Sequence, residues 1–393
     1  LSRALVAASS GDEIWVAQGS YFPTAGTTRT VYIELKDGVK VYGGFNGTEQ
    51  QLSQRDWRSF PTILSGNIGT KTIRTDNSLQ IVVAPAGVNA RLDGFIITDS
   101  DSWSNGAGIY LNANANCTIA NCVITNNYTT GNSGAAIFSL NNNPKFVNCV
   151  ITGNASAMYG GGVHFDHTVV GDYTATFDNC VISGNYLTGG VSARGAGVST
   201  YTNGASTRFT LNLNNCTIVR NLSTGVGGGL AMNQFNSLGA VVNFNNTILW
   251  DNEATSNGPE AYCYSNTLMN FRHSNIRDGW NGARVIASGG RNDLGGNIGS
   301  DSVVDDPSFA IYLEGTWTAA GPFNSPTGMT ELTVAANSFT PGELTGAYVC
   351  VDTSNSYRYY YIIGNIANMI SVVGDCSAEA LNGATYRIIG ASL

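Results

Sequence analysis

Two of the three histidines in the chain stand beside an acid, in His164-Phe-Asp166-His167. Imidazole and carboxylate are the usual proton carriers near neutral pH, and both are metal ligands, so this patch is the most chemical-looking in the sequence. In the chain's internal repeat, His164 aligns with Tyr110 and Phe138 on the outer face, where a solvated histidine is the ordinary outcome. Glycosidic hydrolysis needs two or three convergent carboxylates. Eliminative cleavage needs an acidic metal cluster with an Arg or Lys base, and stacked repeats would have to supply either set. The regular region offers Asp93, Asp99, Asp101, Asp166, Asp172, Asp178 and Asp251. At the Asp178 position the other repeats carry Ala120, Val147, Asn214 and Asn245, so no carboxylate row forms there. No Ser or Cys nucleophile with a visible base occurs, nor any phosphate-cradling loop. Catalysis is therefore not expected.

Four other groups are candidates for binding. Asp293, Asp301, Asp305 and Asp306 have the oxygen chemistry of a Ca²⁺ site, but their spacing fits turn chemistry better. Trp57 lies in the excursion from Gly47 to Pro61 with Arg55 and Asp56. That excursion is either a binding lip or a loop pinned by an Arg–Asp pair with the indole packed beneath it. Tyr357, Tyr359, Tyr360 and Tyr361 suit a sugar-stacking or partner surface, against the commoner use of such a run in packing. Cys350 and Cys376 are the disulfide candidates if the compartment is oxidising.

Positioning these groups falls to an internal repeat. Ile124-Thr-Asn-Asn127 recurs as Ile151 to Asn154, Ile182 to Asn185, Ile218 to Asn221 and Leu249 to Asn252. Out of phase with it run Gly106-Ala-Gly-Ile109, Gly134-Ala-Ala-Ile137, Gly160-Gly-Gly-Val163, Gly195-Ala-Gly-Val198 and Gly227-Gly-Gly-Leu230. A third motif, Asn-Cys, falls at 121–122, 148–149, 179–180 and 215–216, with Asn246-Thr247 following. Fixed order with variable spacers describes one supersecondary unit stacked along an axis, with insertions in its loops. The segments are rich in Val, Ile, Thr, Gly and Asn, which suit strands and turns rather than helices. Successive coils would pair in parallel at about 4.8 Å per rung. Asn at the turns tolerates the left-handed conformation, and stacked amides can bond as a ladder. The glycines fit a corner where a Cβ would strike the neighbouring coil. Cys122, Cys149, Cys180 and Cys216 share one inward slot with Phe95 and Thr247. Parallel in-register thiols point the same way, so a reduced, buried stack is expected rather than disulfides or a zinc knuckle.

The glycine and Asn motifs resemble the repeats of chlamydial-type polymorphic outer-membrane proteins, and more broadly the right-handed parallel β-helix, or pectin-lyase-like, class. Gly11-Asp-Glu-Ile-Trp-Val-Ala17, Val41-Tyr-Gly-Gly-Phe45, Arg55-Asp-Trp57 and Leu92-Asp-Gly-Phe95 are similar to secreted bacterial β-helix repeat proteins. The resemblance covers roughly residues 1–310. It implies an all-β, right-handed solenoid and leaves function open, since the class holds lyases, hydrolases, adhesins and passive surface proteins.

Composition narrows the classes. A chain of 393 residues that is 42% hydrophobic can bury a large core, while 12% charged residues and 48 glycines suit a solenoid. The net charge is −8 and Lys is confined to 36, 40, 71 and 145, so no basic cluster faces nucleic acid. No apolar run approaches the roughly 18 residues of a membrane span. The chain begins at Leu1, and any signal peptide is expected upstream of it.

In order, Leu1, Ala4, Leu5 and Ala8 predict a short capping helix and first strand over 1–20. A parallel β-helix follows over 21–310, regular from 81 to 275. Residues 315–393 hold β-runs between turns such as Pro341-Gly and Asn382-Gly, which predict a small antiparallel sandwich or barrel. The expected function is an extracellular, non-catalytic structural or adhesive protein: a surface, matrix or filament subunit assembling head-to-tail, with no cofactor beyond the Ca²⁺ candidate. A polysaccharide-binding or polysaccharide-degrading protein is the other reading.

Overall fold

The inward aliphatic column sets the register of the whole molecule. Ile97, Ile124, Ile151, Ile182, Ile218, Leu249 and Ile276 are each 0% exposed and pair one above the other in parallel strands. A one-residue slip would turn the entire column to solvent, which is why β-pairing here tolerates loop insertions and not slippage. The computed structural model describes residues 1–393 apart from 132, 204–205, 235–237, 265, 300–311, 323–328, 336–337, 345–346, 353–358, 374–375, 378–379, 381 and 390–393.

The solenoid has three long parallel sheets and a narrow strip. Sheet 1 has ten strands, from Glu13–Ala17 to Arg291–Asp293. Sheet 2 has nine, from Gly19–Tyr21 to Asn275–Ile276, and sheet 3 has nine, from Ile33–Glu34 to Val285–Ala287. The strip has six two-residue strands, from Asp101–Ser102 to Glu253–Ala254. Each regular coil visits sheet 1, sheet 2, the strip and sheet 3 in that order. The helix Ser2–Ala7 lays Leu5 on the core of the first coil.

The turns differ in one respect from the expectation. Between sheets 1 and 2 the left-handed residue is the Asn of the Asn-Cys motif, at Asn121, Asn148, Asn179, Asn215 and Asn246. After sheet 2 it is the residue before the repeat Asn, at Asn126, Gly153, Gly184, Arg220 and Asp251. That kink swings Asn127, Asn154, Asn185, Asn221 and Asn252 inward, where all are 0% exposed. Successive members are 27, 31, 36 and 31 residues apart, and each Nδ2 donates to the next Oδ1 at 2.9–3.0 Å. Each Oδ1 also accepts the backbone N–H of the preceding Asn at 3.0–3.1 Å.

The two out-of-phase motifs meet at this ladder. A Cβ on Gly108, Gly162, Gly197 or Gly229 would lie 3.0–3.2 Å from the amide of Asn127, Asn185, Asn221 or Asn252. The same Cβ would lie 2.4–2.6 Å from a carbonyl oxygen of the next coil. Glycine at those four corners therefore makes room for the amide and the carbonyl beside it, while Ala136 holds the corresponding corner beside Asn154, fully buried.

The slot shared by Cys122, Cys149, Cys180 and Cys216 is buried, and its thiols are unbridged, as the repeat implies. Each thiol donates to the carbonyl two residues earlier, at 3.1–3.4 Å. Thr247 and Ser274 continue the slot with hydroxyls that do the same, at 3.1 and 3.0 Å. Burial raises the thiol pKa of Cys122 and Cys180, which makes them inert packing groups.

Antiparallel strands follow, from Tyr312–Thr316 to Thr385–Ile389, in one seven-stranded sheet. Its long strand Tyr359–Ile366 carries an irregularity between Ile362 and Gly364, and the sheet encloses Trp317, Leu332, Tyr360 and Ile388. Cys350, Ile363 and Val373 of this sheet pack on Ile63, Ile96 and Val123, the outward column of sheet 2.

Candidate functional site

Three perturbed titratable groups, Tyr110, His164 and Asp166, lie together on the outer face of sheet 3. Val163–His167 points His164 and Asp166 outward and His167 inward, as alternation along a strand requires. The sequence patch is thus divided between two faces, and His167 cannot act with the other two. It lies in the core against Tyr173 and Phe209 at 4.6 and 4.5 Å, with neither ring nitrogen hydrogen-bonded. Burial, then the charge of His164, lowers its pKa to about 3.

His164 is on the outer face as expected but is not solvated, being 2% exposed. Phe138 and Tyr159 flank its ring, each at 5.6 Å, and Nδ1 lies 2.6 Å from Ser199 Oγ. Burial pulls its pKa down to about 3, so it stays neutral across the physiological range. Ser199 is itself 1% exposed, its Cβ being covered by the corner at Gly195. A Ser–His contact sealed in this way has no room for an acyl group.

Beside this row runs a second one, partly exposed except at Asn233. Leu140, Asp166, Tyr201 and Asn233 pair in register, and Tyr264 follows in the next coil. Asp166 Oδ1 is buried with no hydrogen-bond partner, and burial pushes the carboxyl up to about 6. Asn233 is 4% exposed and its Oδ1 also has no partner. Tyr264 stacks edge-on with Tyr262 at 4.7 Å, and the Arg194 guanidinium lies 4.6 Å over its ring. Tyr110 has its phenol pKa raised by burial and then by the charge of Asp166. The row holds one carboxylate, so it cannot furnish the acid and base of glycosidic hydrolysis. Tyr201, Asn233 and Tyr264 were not singled out from sequence. The register that joins them to Asp166 was legible only once the insertion after His167 was placed.

The excursion around Trp57 is a pinned loop, and its partner is not the neighbouring Asp56. Arg55 Nη2 reaches Asp93 Oδ1 at 2.6 Å, and Arg91 holds Asp93 Oδ2 at 2.6 Å. Asp56 instead accepts bonds from Arg58 N, Ser59 N and Ser59 Oγ within its own turn. Trp57 carries Arg58 over its ring at 4.9 Å and lines a shallow cleft with Ile96, Val123 and Ile363.

Asp293 serves its own turn, Oδ1 accepting Gly295 N at 2.8 Å and Asn297 Nδ2 at 2.6 Å. Asp301, Asp305, Asp306 and Tyr357 lie outside the described residues. Among the described residues no three His, Cys, Asp or Glu side chains gather as metal ligands. Tyr360 is a core residue and not a binding surface, at 0% exposure. Tyr359 and Tyr361 flank it in the same strand. Cys350 and Cys376 are both buried, the first at the contact with sheet 2 and the second in the core of the C-terminal sheet.

Glu260 is a fully buried carboxyl that sequence reading passed over. It replaces the third corner glycine in Gly258-Pro-Glu260-Ala261, an anomaly visible beside Gly227-Gly-Gly-Leu230. The next coil offers Gly279 where an Asn would receive the ladder, and Glu260 Oε2 accepts Asn252 Nδ2 instead, at 2.5 Å. Arg284 Nε donates to its Oε1 at 3.1 Å. Burial outweighs both partners and pushes the carboxyl up to about 7 from 4.5. A carboxyl whose folded pKa is raised binds its proton more tightly when folded. Its stabilising contribution is full below about 4.5 and declines as pH rises through about 7. Urea titrations are expected to show this decline in the parent and a flatter profile in Glu260→Gln; parallel profiles would contradict it.

Residues 1–240 match the family described as "Protein of unknown function (DUF1565)". The chain belongs to this family. No curated protein matches it. Among solved structures, this DUF1565 chain is similar to the tailspike protein gp49 of Acinetobacter baumannii bacteriophage Fri1, a capsular polysaccharide depolymerase. The identity is 10%, the coverage 97% of this chain and 80% of that one, and the TM-score 0.26. A likeness at that level carries no functional inference.

Proposed function

We propose that this DUF1565 protein is an extracellular, non-catalytic β-solenoid, a structural or adhesive subunit of a surface or matrix. The observation that carries the reading is the state of the sheet 3 face. Its histidine is buried and neutral, its serine is sealed, and its one carboxylate, partly exposed, has no second acid in the row. Two buried carboxyls elsewhere serve the architecture: Asp93 and Glu260 each close a hydrogen-bonded array.

Head-to-tail association is part of the proposal. Among the described residues the first strands of sheets 1, 2 and 3 pair on one side only, with the helix Ser2–Ala7 over the core beneath them, and this end is the proposed docking surface for a second copy. One preparation tests both claims. Purified protein is expected to release no reducing or unsaturated ends from pectin or alginate, and to scatter light as particles larger than one chain at high concentration. Steady product release lost on Asp166→Asn would overturn the non-catalytic reading. A monodisperse particle of one chain mass would remove the association.

A further inference from the structure

We propose that His167 is an acid-sensitive latch: uptake of a proton drives its ring out of the core and frees the insertion that follows it from the side of the solenoid.

The slot that holds the ring suits a hydrocarbon. His167 is 0% exposed and lies 4.6 Å from the Tyr173 ring, 4.5 Å from Phe209 and 6.4 Å from Phe165. Neither ring nitrogen has a partner, and in the next coil the in-register Thr202, also 0% exposed, leaves its hydroxyl unbonded. A Phe or Leu would fill this space without stripping two nitrogens of water, so the histidine costs stability at neutral pH. What it adds is a response to protons.

The insertion is folded down over this slot. Tyr173 Oη and Thr207 Oγ1 donate to Val169 O at 3.2 and 3.3 Å, and Asn141 Oδ1 accepts Thr168 N and Val169 N at 2.9 and 3.1 Å. Tyr173 thus has two duties: its ring stacks on His167 and its phenol holds the loop. Val169 and Val170 stand 57% and 62% exposed at the crest, so these bonds and that stack are what close the insertion. Moving the His167 ring undoes the stack, and with it the hold of Tyr173 on Val169.

The surrounding groups set the direction. Burial, then the charge of His164, holds the imidazole at about 3 when closed, against 6.5 when free. Tyr173 stays a neutral phenol, because burial raises its pKa. Asp172 and Arg208, in register with each other at the far end of the insertion, are both exposed. Asp166 turns to the opposite face, and burial raises its carboxyl to about 6, which favours the closed form as pH falls. The imidazole works the other way. Its folded pKa is depressed, so closure is fully stable above about 6.5 and its equilibrium constant falls tenfold per pH unit from there toward about 3.

The test is hydrogen exchange of the full chain from about pH 7.5 to about 4.5, read by mass spectrometry at residues 167–172 and divided by the intrinsic rate at each pH. Protection in the parent is expected to decline below about pH 6.5, and to decline the full tenfold per unit in Asp166→Asn, which removes the opposing carboxyl. His167→Phe and His167→Leu, which keep the slot filled, are expected to show no decline and to melt no lower than the parent at neutral pH. Constant protection in Asp166→Asn overturns the proposal, as does an equal decline in both apolar variants. A decline of the same size in a distant strand such as Phe95–Thr98 would mean that the whole solenoid opens, and overturns the latch too.

Discussion

Asn185→Ala is expected to lower the free energy of unfolding by about 3–5 kcal/mol. The side chain is fully buried and sits at the middle of the inner amide ladder. Its Oδ1 accepts Asn154 N at 3.1 Å and Asn154 Nδ2 at 3.0 Å. Its Nδ2 donates to Ile151 O at 2.9 Å and to Asn221 Oδ1 at 3.0 Å. Alanine removes all four bonds in a region that water does not reach and leaves Asn154 N without its side-chain acceptor, while Asn154 Nδ2 keeps Ile124 O and Thr152 O and Asn221 Oδ1 keeps the backbone N–H of residue 185. The corner glycine Gly162, placed within 3.2 Å of this amide by any added Cβ, cannot collapse to fill the gap without displacing Gly197 O. Asn243→Ala is the control. Asn243 also belongs to an amide ladder, receiving Asn270 Nδ2 and donating to Asn212 Oδ1, each at 2.8 Å, but it lies on the partly exposed outer face of sheet 1. Water can replace its bonds, and the expected loss is below about 1 kcal/mol. Equal losses for the two substitutions, read from urea unfolding followed by circular dichroism, would show that burial of the ladder is not what stabilises the coil.

The ladders also explain what could be seen in the sequence and what could not. The aliphatic column, the cysteine slot and the glycine corners were legible because each repeats once per coil and has one physical reason in every coil. His164, Asp166 and His167 were legible as a patch but not as a site. Alternation in a strand sends His167 to the core, and the cover over His164 comes from Tyr159 and the corner, residues without any charge signature. Glu260 was missed because a lone acid in a glycine position reads as drift, although it marks the coil where the receiving Asn gives way to Gly279. Asp93 was counted as an unremarkable acid for a different reason. Its partners Arg55 and Asn121 lie 38 and 28 residues away in sequence, across an excursion whose path no local rule fixes.

Asp93→Ala is the second large effect, with about 3–5 kcal/mol expected from removing one member of a buried ion cluster. Asp93 is 1% exposed and takes four bonds. Oδ1 accepts Arg55 Nη2 at 2.6 Å and Asn121 Nδ2 at 2.8 Å, and Oδ2 accepts Arg91 Nε at 2.9 Å and Nη2 at 2.6 Å. Asn121 heads an outer ladder in which Asn148 and then Asn179 donate back toward this carboxylate, at 3.0 and 3.3 Å. The amide dipoles of that array therefore point their donors at Asp93, as those of the inner ladder point theirs at Glu260. Losing the carboxylate leaves two guanidiniums facing each other, one of them, Arg55, with a side chain only 12% exposed. Arg55 also anchors the excursion through Gly43 O and Asp93 O, each at 3.1 Å, and stacks over Tyr42 at 5.0 Å. Repulsion there should free the loop before the solenoid melts. Trypsin is then expected to cut Asp93→Ala first at Arg55 and Arg58, while Arg91→Ala, which removes the more exposed of the two cations, stays resistant at those bonds. Cleavage at the same rate in both variants would mean that the loop is held by Trp57 and its apolar neighbours, and that the ion cluster does not pin it.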